Sequence, residues 1–184
     1  MSNIMLDVIN NDIDQCWGHI KILDKKIMDL GTDTEYESLG QPIGTTMEYF
    51  LKNGAAHVLA IEIRPDSKNT LSLQYSNLTI KNMSIENNID ISILISEYNP
   101  DFIKCDINGL EIHLLNIDDS LFSKVEEYSI KTHSYELYRL TENKLIRCGY
   151  DICKRINLTH SPQHSSWHDH GNYKILHAKK NIYP

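Results

Sequence analysis

Two glycines and a carboxylate in the first half of the chain have the types and spacing of a nucleotide-type binding site. Gly40 and Gly44 lie four residues apart before a helical run, and Glu62 ends the apolar stretch that follows it. Glycine lets the backbone approach a ligand closely, and the amino end of the next helix points free amides at the same place. A carboxylate at the end of the next strand can accept hydrogen bonds from the hydroxyls of a ribose. Segment 35–66 therefore predicts a strand, a glycine turn, a helix and a second strand around such a ligand.

The glycine spacing argues against two other kinds of nucleotide site. Gly40 and Gly44 do not form the tighter Gly-x-Gly-x-x-Gly pattern of dinucleotide sites, and no Gly-Lys-Ser/Thr sequence follows to hold a triphosphate. The alternative to a binding site is an ordinary strand–helix–strand turn with an incidental carboxylate at Glu62.

Three stretches of the chain resemble the class I S-adenosylmethionine-dependent methyltransferases, and within them the FkbM-like group. The first is a glycine motif with an aromatic-containing helix at 39–50, and the second is the strand at 58–65. The third, 101–111, reads DFIKCDINGLE and is similar to the fourth strand and turn of that group. The resemblance covers roughly residues 34–179 and implies S-adenosylmethionine as the cofactor.

The resemblance also assigns roles to individual positions. It places Ser38, Gly40, Gly44 and Glu62 around the cofactor, although the family normally has an acidic residue where this chain has Ser38. Strand ends converge at one edge of such a sheet, so we expect Asp106 beside Gly40 and Glu62, near the transferred methyl group, as a base or a clamp on the substrate. A purely structural cap of the turn after the strand is the alternative for Asp106.

His133 is the second candidate for the catalytic centre. It follows the fifth predicted strand, where FkbM-like relatives end on Glu-x-His, but Lys131 stands in place of that glutamate. Asn108 likewise replaces the usual glutamate in the turn after the fourth strand. His133 could face the substrate, or it could have a structural role at the start of the next helix.

The hydrophobic pattern predicts one doubly wound α/β domain over residues 1–184, and the resemblance implies that its mostly parallel sheet is a methyltransferase-like Rossmann variant. An added helix at 11–30 precedes it, because apolar residues recur there at three and four positions before Gly31. This helix packs on the core, and it could also build a homodimer contact. No crossover helix fits between the last two strands, so they form a C-terminal antiparallel hairpin. Strands are predicted near 35–39, 57–63, 83–86, 102–107, 125–131, 150–156 and 172–179, and helices near 45–53, 67–80, 90–98, 109–116 and 134–147.

The composition limits which kinds of partner and which cellular compartment are expected. The net charge of −7 and the absence of a Lys/Arg run argue against a nucleic-acid partner and favour a small-molecule substrate. The four cysteines form no Cys-x-x-Cys pair, which predicts a reducing cytoplasm. No signal-peptide pattern and no long apolar stretch is present, so neither secretion nor a membrane partner is expected.

Four of the nine histidines lie close together in 159–171, the loop between the last two strands. Three interpretations compete: a metal site, a polar lid over the substrate, and a solvated loop, of which the last is favoured and no metal is assigned. The candidate metal ligands would be His164, His168, Asp169 and His170.

Two functions of different classes fit these patterns. The first is a methyltransferase that acts on a small molecule or a sugar hydroxyl, and Gly40, Gly44 and Glu62 favour it. The second is a non-catalytic binding or assembly module that kept the fold and lost the cofactor, and Ser38 and the short link at 86–89 favour that. A metal-dependent hydrolase that uses the histidine loop is a weaker third reading.

Overall fold

The computed structural model describes residues 16–31, 45–63, 75–159 and 172–181. The described residues form a seven-stranded sheet flanked by helices. Its strands are β1 Lys26–Leu30, β2 His57–Glu62, β3 Leu78–Asn82, β4 Phe102–Cys105, β5 Glu127–Thr132, β6 Tyr150–Thr159 and β7 Asn172–Lys180. The helices are α1 Thr45–Lys52, α2 Asn88–Tyr98, α3 Glu111–Leu115, α4 Asp119–Phe122 and α5 Tyr135–Arg147.

The strand order across the sheet is β3-β2-β1-β4-β5-β7-β6. Strands β1 to β5 pair in parallel, and β7 runs antiparallel between β5 and β6. The predicted doubly wound sheet with a C-terminal antiparallel hairpin is therefore confirmed. The order reverses between β1 and β4, and open α/β sheets bind ligands beyond the carboxyl ends of the strands at such a reversal.

Apolar side chains cover both faces of the sheet. Ile27 and Met28 are neighbours in β1, so they point to opposite faces and belong to two separate buried clusters. Met28 lies in the cluster with Ile91 of α2, and Ile27 in the cluster with Phe50 of α1. Burying one such side chain contributes roughly 1.5–3 kcal/mol, so the two helix layers hold the strand ends in fixed positions.

Local capping signals set where the helices begin. The Asn87 side chain accepts hydrogen bonds from the amides of Ile89 and Asp90, and the Asp90 carboxylate accepts one from the amide of Asn87. This reciprocal pattern, with Asn87 as the N-cap and Asp90 three positions later, starts α2. Ser134 caps α5 through the amide of Leu137. Among the described residues, no helix combines the length and the apolar character that crossing a bilayer requires.

The predicted helix at 11–30 is wrong in its described part. Only Cys16 and Trp17 are helical there, and residues 26–30 form β1, the central strand. The apolar spacing that suggested a helix comes from a strand buried on both faces, where nearly every side chain must be packed. The first strand predicted at 35–39 lies outside the described residues.

The third strand was also misplaced. The sequence predicted a helix over 67–80 and a strand over 83–86, whereas β3 is Leu78–Asn82 and 83–86 have no regular structure. β3 is a short strand at the edge of the sheet, and only Leu78 in it is buried. So short and weakly apolar a segment carries little periodicity.

Candidate functional site

The turn that leaves β1 packs directly against the turn that leaves β4. The amide of Asp106 donates to the carbonyl of Leu30 at 2.9 Å, and the amide of Gly31 donates to the carbonyl of Ile61 at 3.1 Å. Gly31 has φ +74°, and a Cβ there would lie 1.9 Å from the carbonyl oxygen of Asp106. Only glycine fits this position, because both the conformation and the space exclude a side chain. The two turns thus form one floor at the strand-order reversal.

A buried ion pair lies beneath this floor. Asp29 of β1 and Lys104 of β4 are register partners, and they are 0% and 1% exposed. The Lys104 Nζ atom lies 2.9 Å from Asp29 Oδ1 and also donates to the carbonyl of Gly31. Buried charges persist when they are paired and hydrogen-bonded, so Lys104 ties β1, β4 and the glycine turn together.

The run Asp29-Leu30-Gly31 was not recognised as a motif in the sequence. An acidic residue two positions before the first glycine is what the resemblance expects after the first strand, and Asp29 stands there relative to Gly31. The assignment of that position to Ser38 followed from placing the first strand at 35–39, and the structure places the central strand at 26–30. Ser38, Gly40 and Gly44 lie outside the described residues.

Glu62 lies where the sequence predicted it, as the last residue of β2. It is 4% exposed and is the register partner of Asn82 at the end of β3. β1 separates β2 from β4, and neighbouring strands lie about 4.8 Å apart, so the end of β2 is roughly 10 Å from the end of β4. That separation suits an extended ligand that lies across the strand ends.

Asp106 and His133, the two predicted catalytic residues, lie together in a four-membered charged cluster. His133 Nε2 is 3.3 Å from Asp106 Oδ1, and His133 Nδ1 is 2.9 Å from Glu111 Oε1. The Lys131 Nζ atom approaches the other oxygen of Asp106, Oδ2, at 3.1 Å. The imidazole therefore bridges two carboxylates, and the sequence had assigned no role to Glu111.

This arrangement sets the charge of each group. Burial by itself lowers the pKa of the His133 imidazole, but hydrogen bonds to Asp106 and Glu111 outweigh it and raise that pKa to about 9. Burial opposes ionisation of Asp106, yet the hydrogen bond from His133 and the charge of Lys131 hold the pKa of its carboxyl well below its usual range. At neutral pH His133 is thus a cation and Asp106 a carboxylate.

Asp106, Glu111 and His133 also have ligand atoms within 4.8 Å of one another, close enough for a metal ion to be considered. The geometry instead favours a doubly protonated His133 between the two carboxylates. The two carboxylates face different nitrogens of the His133 ring, so one ion on Nε2 would not meet the Glu111 oxygen that lies at Nδ1. The ammonium of Lys131 next to Asp106 further disfavours a second cation.

His133 should make stability depend on pH in the alkaline range. Its pKa is about 9 in the folded protein, against 6.5 for an ordinary histidine, so folding favours the protonated form. The resulting stabilisation is complete below pH 6.5 and is lost as the pH rises through 9; it amounts to about 3 kcal/mol at most. Urea unfolding at pH 6.5, 8 and 9.5 should show a smaller alkaline loss for His133→Asn than for the unmodified protein. Parallel losses in the two proteins would contradict the ion-pair assignment.

The histidine-rich segment 160–171 lies outside the described residues. Its roles as a metal site, a lid or a solvated loop all stay predictions. The described ends of β6 and β7 show that this segment connects the two strands of the hairpin, beyond Thr159 and before Asn172.

Several solved structures that superpose on this chain are methyltransferases, and others are named as hemolysins or as a Rossmann-superfamily protein. A tRNA methyltransferase from B. subtilis superposes with a TM-score of 0.60 at 16% identity, over 92% of this chain and 65% of that one. A ribosomal protein methylase from Lactobacillus delbrueckii gives 0.55 at 15% identity, over 98% of this chain and 81% of that one. A protein assigned as an S-adenosylmethionine-dependent methyltransferase from Listeria monocytogenes gives 0.57 at 9% identity, over 93% and 96%.

These structural similarities show the fold of the chain, and they do not show a subgroup or an activity. Their sequence identities are low, and the chain spans only about two thirds of the tRNA methyltransferase. The sequence matches no protein-family model and no curated protein. The chain therefore has the class I methyltransferase fold, and its likeness to the FkbM-like group stays a prediction.

Proposed function

We propose that this protein is an S-adenosylmethionine-dependent methyltransferase that acts on a hydroxyl group of a small molecule or sugar. The observation that carries the proposal is the set of groups at the strand-order reversal. Asp29 lies near the end of β1 and Gly31 follows that strand, Glu62 ends the neighbouring β2, and Asp106 follows β4 on the other side. A fold with this order binds its ligand at that edge.

The residues present fit the cofactor by their chemistry. Glu62 offers a carboxylate to the ribose hydroxyls. Gly31 lets the turn after β1 pack directly on the backbone of Asp106, which fixes this edge of the site. Gly40 and Gly44 would complete the loop that leads into α1, whose amino end begins at Thr45. S-adenosylmethionine, when bound, supplies an activated methyl group.

Asp106 is suited to accept a hydrogen bond, and then the proton, from the hydroxyl of the methyl acceptor. Its carboxylate is ionised and held by His133 and Lys131, so it can accept a hydrogen bond from a hydroxyl and fix that oxygen in place. A hydroxyl that gains a methyl group becomes a strong acid, so even a weakly basic carboxylate can take its proton. His133 carries a proton on both nitrogens at neutral pH and acts as a donor that orients Asp106.

Charge favours a small acceptor over RNA. The named targets of two structural neighbours are a tRNA and a ribosomal protein. This chain has a net charge of −7 and no run of Lys and Arg with which to contact a phosphate backbone. A small hydroxylated molecule needs no such surface.

Glu62→Gln should weaken binding of S-adenosylhomocysteine, because a neutral amide replaces the carboxylate that accepts the ribose hydroxyls. The loss is expected to be roughly 1.5–3 kcal/mol, or about 10- to 150-fold in Kd by isothermal titration calorimetry. Glu97→Gln is the matched control, because Glu97 lies near the far end of α2 in an exposed pair with Lys81, and its Kd should be unchanged.

Thermal unfolding of the unmodified protein tests the proposal as a whole. A ligand at 100 times its Kd stabilises a folded protein by about 2.7 kcal/mol, which shifts the Tm by several degrees at this size. If millimolar S-adenosylmethionine and S-adenosylhomocysteine both leave the Tm unchanged, the protein is instead a non-catalytic binding module with a methyltransferase fold.

A further inference from the structure

Glu111 is a fully buried carboxylate at the start of α3, and no established role explains it. One of its oxygens, Oε1, accepts hydrogen bonds from the amides of Ile107 at 3.0 Å and Gly109 at 3.3 Å. The same oxygen lies 2.9 Å from His133 Nδ1. Two backbone donors and one imidazole therefore converge on Oε1, while the other oxygen, Oε2, is buried without a hydrogen-bond partner among the described residues. The contacts at Oε1 offset part of the cost of burying the charge.

The two amide contacts hold an unusual turn in place. Asn108 and Gly109 both have positive φ, +52° and +95°, so the chain reverses sharply between Asp106 and α3. Asparagine adopts left-handed conformations more readily than other residues with a side chain, but two successive positive φ angles still need support from nearby contacts. Glu111 provides that support from within the turn.

The contact between Glu111 and the His133 imidazole is not needed to support the turn, so it calls for a separate explanation. The two nitrogens of His133 lie on different edges of its ring, with Glu111 at Nδ1 and Asp106 at Nε2. A ring held at both nitrogens cannot rotate without breaking a contact. The position and charge of the ring beside Asp106 thus depend on Glu111, which itself lies on the far side of the imidazole.

We propose that Glu111 is a positioning residue that holds His133 in place, so that its Nε2–H stays on Oδ1 of Asp106 and the Asp106 carboxylate stays aimed at the acceptor. This role rests on the proposed function insofar as Asp106 meets an acceptor hydroxyl. The chain of contacts Glu111–His133–Asp106 stands on geometry alone and can be measured without methyl transfer.

Glu111→Gln separates the charge that Glu111 presents to His133 from its support of the turn. The glutamine keeps a carbonyl oxygen that can accept from the Ile107 and Gly109 amides, but it removes the charge that faces His133. NMR titration of histidine-labelled protein should show the pKa of His133 falling by about one to two units in this variant. Glu111→Asp, which keeps the charge, should restore part of the shift, and the surface control Glu97→Gln should leave the pKa of His133 unchanged.

A folded Glu111→Gln protein with an unchanged pKa at His133 would overturn the proposal and leave Glu111 as a support of the turn only. If this variant does not fold, the contact between Glu111 and His133 can be tested on the unmodified protein. At pH 7 its His133 Nδ1 proton should appear as a downfield, slowly exchanging signal, and a rapidly exchanging proton would overturn the proposal.

Failure of the proposed function would look different. S-adenosylhomocysteine affinity, measured by calorimetry, should be within about threefold of normal in Glu111→Gln, because Glu111 lies on the acceptor side of the site. A protein that binds no cofactor but shows the His133 shift would refute the methyltransferase activity and retain the positioning role. A protein that binds cofactor without the His133 shift would refute the positioning role and leave the proposed methyltransferase activity standing.

Discussion

Replacing Lys104 with Met should destabilise the protein by about 3–5 kcal/mol, the usual cost of removing one partner of a buried ion pair. Asp29 and Lys104 are 0% and 1% exposed and face each other across β1 and β4. Methionine fills a similar volume but leaves the Asp29 carboxylate buried without the ammonium. Domains of this kind have total stabilities of roughly 5–15 kcal/mol, so the loss is a large fraction of the whole.

Equilibrium urea unfolding at pH 7 measures this cost. The double variant Asp29→Leu with Lys104→Met removes both charges, so it should lose less stability than the Lys104→Met single variant. Lys81→Met is the control, because it breaks the exposed pair with Glu97 and should cost at most about 1 kcal/mol. Equal losses for Lys104→Met and Lys81→Met would show that the buried pair does not hold the strands together.

Gly31→Ala is the second change with a large expected effect, roughly 2–5 kcal/mol. About 1–2 kcal/mol arises because a residue with a Cβ resists φ +74°, and about 1–3 kcal/mol arises from overpacking. The new Cβ would lie 1.9 Å from the backbone oxygen of Asp106, and the two turns must separate to admit it. Because these turns form the floor of the candidate site, S-adenosylhomocysteine binding should be lost together with stability.

Gly149→Ala provides the matched control for this experiment. Gly149 also has positive φ, +81°, but nothing lies within 4 Å of a Cβ placed there. It should therefore cost only the conformational part, about 1–2 kcal/mol, and leave ligand binding intact. The difference between the two variants measures the backbone contact between Gly31 and Asp106. If the two glycines cost the same, that close contact is not important for the fold.

Most of the fold from α2 onward could be predicted because its signals are local, whereas the short helix α4 was not predicted. Asn87 and Asp90 supply a capping pattern next to the helix they begin, and Gly149 separates α5 from β6. The connection between β6 and β7 has no predicted helix, which predicted the antiparallel hairpin. Each of these features involves residues close in sequence, so the amino-acid sequence alone is enough to predict it.

The first third of the chain was harder to predict, because a fully buried strand and an amphipathic helix share the same apolar residues. Ile20, Ile27 and Leu30 fall at helical spacing, yet Ile27 and Leu30 lie in β1, which is buried on both faces between β2 and β4. Periodicity cannot separate these cases when the partner strands are far away in sequence. That error left Asp29 and Gly31, which lie at the end of the central strand, without a predicted role.

The sequence by itself determined the class of fold, the end of β2 at Glu62, and the edge of the sheet to which Asp106 and His133 belong. The alternation of strands and helices predicts a parallel sheet, and parallel strand ends meet at one edge, so these positions needed no coordinates. Only the tertiary structure decided which charges meet: Lys104 with Asp29, and His133 between Asp106 and Glu111. Ion pairing and pKa depend on burial and on distances of a few ångströms between residues far apart in sequence, which no local pattern encodes.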